Sequence, residues 1–394
     1  MSDLHSLLDA LDEASSENID TVLATVVKVE GSAYRRPGAR MLIPLYGSAV
    51  GTISGGCLEQ DLIKKAWWLT DSGEAVVRRY STADHENDDL DDGDAALTFG
   101  LGCNGTVHVL LERLYPNQNS ILTNVLQRVK TTGEPAALAT VIAAGPGSVV
   151  SVGARMGRTA YINFYEGVAS EALSNFIATT LRRALETKNS SLMLYGQGDS
   201  EVEIFFEYIP PQRRLVIFGA GHDAVPLIQC AKALNWHTTV IDGRANFARP
   251  DRFPAADNVI VAAIDAPFEF KEIVDDAAVV IMTHSYRQDK YWLSNVLGCS
   301  PAYIGQLGPR DRTERLLEEL CVPEETFKSR EEFHFPVGLD LGGDSPASVA
   351  LAVVGEIIAY LNKRQGGMLK HRKSKIHEAC QPIRSTEDVV LRAS

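Results

Sequence analysis

Two cysteines set among glycines are the residues in this chain best suited to chemistry. The first lies in Gly51-Thr-Ile-Ser-Gly-Gly-Cys57-Leu-Glu-Gln60. This stretch begins like a strand, breaks at Gly55-Gly56, and continues with the helical spacing of Leu58, Leu62, Ile63, Ala66 and Leu69. Adjacent glycines allow backbone conformations closed to other residues and let a ligand approach the main chain. A thiol at a helix start meets free N–H groups and the positive end of the helix dipole, which favour thiolate, the form that attacks or ligates. A buried cysteine after a turn is the plainer alternative. The second cysteine, Cys103, lies in Phe99-Gly-Leu-Gly-Cys-Asn-Gly105, just before the strand pattern Thr106 to Glu112. Two thiols in two glycine-rich turns are more informative than either alone.

Between the first strand pattern, Asp20 to Val29, and the next at Met41 runs a loop containing Arg35, Arg36 and Arg40. Guanidinium groups there suit an anionic ligand, although solvated surface arginines are commoner. The acidic run Asp84 to Asp94 fails the calcium-loop template and reads as a solvated loop. An internal repeat organises this region. Leu23-Ala-Thr-Val-Val27 returns as Leu138-Ala-Thr-Val-Ile142, and Gly38-Ala-Arg-Met41 returns as Gly153-Ala-Arg-Met156, both offset by 115 residues. Residues 1–208 therefore read as two related β-rich halves, about 1–115 and 116–208. The second half has no counterpart of either glycine–cysteine turn.

After the linker Ile209-Pro-Pro-Gln-Arg213, a short apolar strand leads into Gly219-x-Gly221-x-x-Ala224, a helix, and a second strand ending at Asp242, 23 residues after Gly219. Strand, glycine turn, helix, strand and terminal acid in that order predict a Rossmann-like unit over 213–362. The glycines permit a tight turn and the close approach of a diphosphate to the helix N-terminus, and Asp242 lies where an acid can bind a ribose hydroxyl pair; in a nicotinamide-dependent oxidoreductase it would favour NAD over NADP. Further parallel strands at 258–262, 277–284 and 302–308 place His284, Gly305 and Gly308 at carboxyl ends, where doubly wound sheets bind ligands. The fold class is thus α/β: an N-terminal β-rich α+β domain containing the repeat, then a doubly wound parallel sheet. Residues 363–394, with Lys370, Arg372, Lys373 and Lys375, read as a mobile basic tail.

Length and composition narrow the function classes. The 394 residues, 45% hydrophobic and 23% charged, suit a soluble globular protein of two or three domains. A net charge of −13 opposes general binding to nucleic acid or anionic membrane. No apolar run reaches the roughly 20 residues of a membrane span. Six scattered cysteines without a CxxC pair, and an N-terminus without a signal-peptide pattern, lead us to expect a cytoplasmic protein with reduced thiols.

Taken together, the motifs resemble the xanthine dehydrogenase accessory factor family, also called the XdhC/CoxI family. The resemblance rests on Gly31 to Met41, Ile53 to Glu59, Gly100 to Gly105, Phe218 to His222, Met282 to His284, Tyr303 to Gly305 and Pro336 to Gly342. It implies an accessory protein, not itself a xanthine dehydrogenase. Such a chaperone binds and protects the molybdenum cofactor (molybdopterin or a dinucleotide form), supports its sulfuration and helps insert it into a molybdenum hydroxylase apoenzyme. A cysteine desulfurase is a further candidate partner, and homodimerisation follows only from the general prior. On this reading Cys57, Cys103, Gly55, Gly56, Glu59 and Arg35 form the cofactor and sulfur-handling end. Cys57 is the candidate molybdenum contact, since molybdenum favours sulfur ligands. Glu59 is a polar or proton-relay residue, or only complements the helix dipole. Gly219, Gly221, His222, Asp242, His284, Gly305 and Gly308 bind a nucleotide or the phosphate end of the cofactor, across a cleft between domains. The rivals are an NAD(P)-dependent oxidoreductase and a non-catalytic assembly scaffold.

Overall fold

The computed structural model describes residues 4–31, 35–56, 58–81, 97–98, 105–116, 118, 120–166, 170–264, 266–373 and 383–384. Cys57, Cys103 and the acidic run 84–94 lie outside them. The chain divides into two units: Met1–Pro211 together with Lys375–Ser394, and Gln212–Ser374. Among the described residues no helix is long and apolar enough to cross a membrane.

The first unit opens with α1 (Leu4–Ser16), β1 (Thr21–Gly31), β2 (Arg40–Pro44), β3 (Val50–Gly51), α2 (Glu59–Leu69), β4 (Val76–Ser81), β5 (Leu97–Thr98) and β6 (Gly105–Leu114). A second series follows: α3 (Ile121–Thr132), β7 (Ala136–Ala144), β8 (Arg155–Thr159), β9 (Asn163–Glu166), α4 (Glu171–Thr187), β10 (Ser191–Tyr195) and β11 (Val202–Ile209). The first sheet runs β3-β2-β1-β6-β4-β5 and the second β9-β8-β7-β11-β10, so the repeat seen in the sequence is a repeat of topology. Period-two alternation divides the side chains of β1 between two faces. Val22, Ala24 and Val26 pack under Leu62 and Ala66 of α2, while Val27 meets Ile142, Leu192 and Phe205 of the second half. The second sheet is covered in the same way by Leu173, Phe176, Ile177 and Leu181 of α4. Two sheets thus face each other between outer helices. Each fully buried Leu or Phe at these seams contributes about 1.5–3 kcal/mol. Ile63 of α2, expected on the apolar face, is instead exposed together with Trp68.

The matching Gly-Ala-Arg-Met segments cross-link the halves. Arg40 Nη1 and Nη2 donate to Glu207 Oε1 and Oε2 at 2.9 and 2.5 Å, and Arg155 Nη2 donates to Glu112 Oε2. All four side chains are nearly buried. Gly38 (φ +95°) and Gly153 (φ +90°) supply the left-handed bend before each arginine, and a Cβ on Gly38 would stand 2.6 Å from Glu207 Oε1. Arg40 is therefore a buried structural cation, not part of an anion-binding loop.

The second unit contains β12 (Arg214–Phe218), α5 (Ala224–Ala233), β13 (His237–Asp242), β14 (Asn258–Val261), α6 (Phe270–Val274), β15 (Ala278–Ile281), α7 (Tyr286–Val296), β16 (Tyr303–Gln306), α8 (Arg310–Glu319), α9 (Glu324–Lys328), β17 (Phe333–His334) and α10 (Pro346–Leu361). Its sheet is wholly parallel, in the order β14-β13-β12-β15-β16-β17. The continuous apolar runs of β12 and β15 suit strands buried on both faces. Helices α5 and α10 cover one face, and α7 and α8 the other, where Trp292 stacks on Phe218 at 4.9 Å. The direction of winding reverses between β12 and β15, which makes that point the crevice of a doubly wound sheet.

Beyond the second unit, β18 (Ile383–Arg384) returns to the first and pairs in parallel with β10. Strand β5 pairs in parallel with β4 at the equivalent edge of the first sheet. Part of the C-terminal segment thus takes the place in the second half that an internal strand fills in the first.

Candidate functional site

In the first unit the candidate residues gather around the turn before α2. Gly56 has φ +113°, a left-handed conformation that favours glycine, and a Cβ there would meet nothing within 4 Å among the described residues. Glu59, in the first turn of α2, reaches back over the turn. Its Oε1 accepts from the N–H groups of Ile53 (3.2 Å) and Ser54 (2.8 Å), and its Oε2 from Gly56 N–H (3.1 Å) and the Ser54 hydroxyl. Burial would raise the Glu59 carboxyl, but the Ser54 hydroxyl and the main-chain N–H groups outweigh it and hold it below the ordinary glutamate range. The backbone donors that could have cradled an external anion are filled from within. The geometry supports a positioning role for Glu59. Arg35 donates to the Thr52 hydroxyl, which brings the arginine loop beside the same turn. In the second half, α4 begins with an ordinary Ser170 cap on Leu173 N–H, so this reach-back belongs to the half that carries Cys57.

In the second unit Gly219, Gly221, His222, Asp242 and His284 meet at the carboxyl edge of the sheet. Gly219 has φ +126°, and a Cβ there would lie 2.5 Å from Met282 O, because the parallel neighbours β12 and β15 end side by side. Asp242 is fully buried. Its Oδ2 accepts from Ala220 N–H (2.9 Å) and Arg244 Nη2 (2.8 Å), and its Oδ1 from the N–H and Nε of Arg244 (both 2.9 Å). Burial opposes its ionisation, yet Arg244 and the Ala220 N–H hold its carboxyl below the ordinary range. The hydrogen bonds that Arg244 donates to Asp242 in turn push the guanidinium pKa up.

His284 follows β15 in a left-handed conformation (φ 57°), and its Nε2 lies 2.6 Å from Asp223 Oδ2 across the switch point. Its side chain is 67% exposed, so the imidazole is oriented by a carboxylate and presented to solvent. His222 is exposed beside the turn. Gly305 lies inside β16, where a Cβ would stand 2.5 Å from Val337 Cγ2; close packing accounts for that glycine. Gly308 (φ +129°) forms the exit turn of β16 beside Arg312. Sequence reasoning missed Asp223, Arg244 and Arg252. Asp223 and Arg244 occupy the turns after β12 and β13, which is the signal that could have found them. Among the described residues no three His, Cys, Asp or Glu side chains gather to hold a metal ion.

Comparison with known proteins places these features in a family. Residues 215–357 match the family signature described as the XdhC Rossmann domain, and residues 14–81 match that of the XdhC and CoxI family. A protein of Bacillus subtilis (strain 168) described as a probable xanthine dehydrogenase subunit is 32% identical over 359 residues, covering 91% of this chain and 97% of that protein. The "Molybdenum cofactor insertion chaperone PaoD" of Escherichia coli (strain K12) is 26% identical over 349 residues, 88% of this chain and 85% of that one. A crystal structure described as a xanthine dehydrogenase from Bacillus halodurans superposes with a TM-score of 0.67 at 28% identity, covering 92% of this chain and 98% of its own. Matched over nearly its whole length and in both units, the chain belongs to the XdhC and CoxI family.

Proposed function

We propose that the protein is a cytoplasmic accessory chaperone that binds the molybdenum cofactor and supports its insertion into a xanthine dehydrogenase-type hydroxylase. The observation that carries this reading is the likeness, over 88% of the chain, to a protein described as a molybdenum cofactor insertion chaperone. The turn at 53–56 supports it: a left-handed glycine at Gly56, in a turn fixed by Glu59, stands immediately before the thiol-bearing residue Cys57. The cofactor, when bound, supplies the dithiolene-held metal whose sulfur is to be protected or replaced. The chain's own residues do the rest. Glu59 fixes the turn, Arg35 places a cation beside it, and Cys57 with Cys103 supply thiolates to the metal or to the sulfur being handled. At the carboxyl edge of the parallel sheet, Gly219, Gly221, His222 and His284 border the place for a nucleotide or the cofactor's phosphate end. A molybdenum hydroxylase apoenzyme is the client, a cysteine desulfurase the candidate sulfur donor, and a homodimer the simplest assembly.

Anaerobic reconstitution with molybdenum cofactor, followed by metal, pterin and nucleotide analysis, tests this. Stoichiometric pterin and molybdenum should be retained, and Cys57→Ala and Cys103→Ala should weaken retention without unfolding the protein. Unchanged affinity in both variants would remove the thiols from the mechanism. The oriented His284–Asp223 pair favours one second reading, an NAD(P)-dependent oxidoreductase with His284 moving the proton. Turnover of bound NAD(P)H with no pterin retained would select that reading over ours.

A further inference from the structure

The turn after β13 is built differently from a ribose-binding site. A carboxylate offers about four acceptor positions, and all four of Asp242 are taken, three by Arg244 and one by the glycine turn at Ala220. A ribose hydroxyl pair could reach this buried acid only by stripping Arg244 from it. Solvent meets the guanidinium of Arg244 in its place. That side chain is 37% exposed, with its Cζ over the Phe247 ring at 3.8 Å from the ring centre. Its Nε and Nη2 are engaged, whereas Nη1 has no hydrogen-bond partner among the described residues. The arginine is thus already ordered, so much of the entropy of fixing a long side chain is spent before any ligand arrives.

Neighbouring charge points the same way. Arg252 donates to the carbonyls of Ala220 (3.1 Å) and Phe247 (2.7 Å), its guanidinium lies 5.3 Å from the Phe247 ring centre, and it has no carboxylate partner among the described residues. Asp242 is offset by Arg244, and the Asp223 carboxylate is turned toward His284 at 2.6 Å, so Arg252 is the second guanidinium beside the turn and has no carboxylate of its own among the described residues. Gln288, nine-tenths buried, brings an Oε1 with no described partner against Gly243, the residue between Asp242 and Arg244. As an acceptor it suits a ribose hydroxyl, not a phosphate oxygen.

We propose that this edge recognises a nucleoside whose ribose carries a phosphomonoester, with Arg244 Nη1 as the phosphate contact and Arg252 as the supporting cation, and that it discriminates against an unphosphorylated ribose. An arginine near the second strand serves a 2′-phosphate in this way in doubly wound folds, and a guanidinium suits phosphate better than an ammonium. The preference for NAD expected from Asp242 alone is thereby reversed. The inference rests on the reading that the parallel sheet holds a nucleotide or phosphate group, and it does not depend on the molybdenum role.

Calorimetric titration of the full chain with NADP⁺, NAD⁺, 2′,5′-ADP and 5′-AMP tests it, because each pair differs only by the ribose phosphate. NADP⁺ and 2′,5′-ADP should each bind at least ~10-fold tighter than their partners, a difference of ~1.4 kcal/mol, and added salt should narrow the gap. Arg244→Gln should abolish the difference. Arg252→Gln, away from the buried acid, should reduce it several-fold with the fold intact, and keeps the test open where Arg244→Gln proves unstable. A source other than a nucleoside is separated by inorganic phosphate: displacement of 2′,5′-ADP at equal concentration would show that a bare phosphate suffices and would overturn the nucleoside claim. Equal binding of all four ligands would overturn the inference while leaving nucleotide binding standing. No binding by a folded chain would overturn both.

Discussion

Glu59 and Asp242 are acids set against main-chain donors at the two candidate sites, and in both the carboxylate is already spent on contacts within the chain. Removing Glu59 as Glu59→Ala leaves the partly buried N–H groups of Ile53 and Ser54 without their acceptor, a loss of about 1–3 kcal/mol that a urea unfolding curve at pH 7 would register. Asp242 carries a pH signature. Its carboxyl is lower in the folded protein than in the unfolded chain, so the stabilisation it provides is present above the unfolded value, 3.8, and is lost as pH falls through the folded one. Asp242→Asn should therefore lower the urea midpoint clearly at pH 7, with the gap from the parent closing as pH drops below that value. The sequence located both acids, one by its place at the start of a helix pattern and the other by its distance from Gly219, but not their partners. Whether Glu59 faces solvent or folds back onto residues 53–56 depends on backbone angles at Gly55 and Gly56 that residue types only permit. In the same way nothing in Asp242-Gly-Arg244 announces that the arginine doubles back onto the acid.

Among the elements, the crossed pairs Arg40–Glu207 and Arg155–Glu112 set how the two sheets of the first unit meet. Breaking a buried ion pair by removing one partner costs about 3–5 kcal/mol, whereas replacing both by apolar groups is often neutral. Arg40→Met should thus destabilise by that amount, and Arg40→Met with Glu207→Leu should recover most of it; a double-mutant cycle by chemical denaturation decides. The repeat itself was legible at an offset of 115 residues, as were the strand pattern that forms β1 and the succession of parallel strands along the second unit. Arg40 was grouped with its sequence neighbours Arg35 and Arg36 because its true partner is 167 residues away. In the second unit, Glu356 of α10 accepts from Tyr303 Oη (2.7 Å) and Gly338 N–H (2.6 Å) and pairs with His334 (3.0 Å). Burial opposes its charge, but His334, Gly338 and Tyr303 together keep its carboxyl below the ordinary range. Glu356→Gln should lower the thermal midpoint of the second unit at neutral pH, with the loss shrinking in acid.

For the molecule as a whole, the chain leaves the first unit at Pro211, builds the second, and comes back at Lys375. Deleting residues 375–394 removes β18, which pairs with β10 at Met193 and Leu194, and leaves that edge open to another chain. The shortened protein should show concentration-dependent self-association by light scattering and a weaker first unit, with the thermal transition of the second unchanged. An unaltered first-unit transition would mean that β18 adds nothing to its sheet. The parallel strand of the first half, β5, lies between β4 and β6 in the chain, so the same edge is closed there from within. The second half waits. About 170 residues separate the end of β11 from β18, and at about 5–20 residues per second of synthesis that edge stays bare on the ribosome for roughly 10–35 s. The order in which the protein is made thus gives its own sheet a vulnerable interval, during which a nascent-chain binder or a neighbouring polysome product could occupy β10 before the tail that belongs there exists.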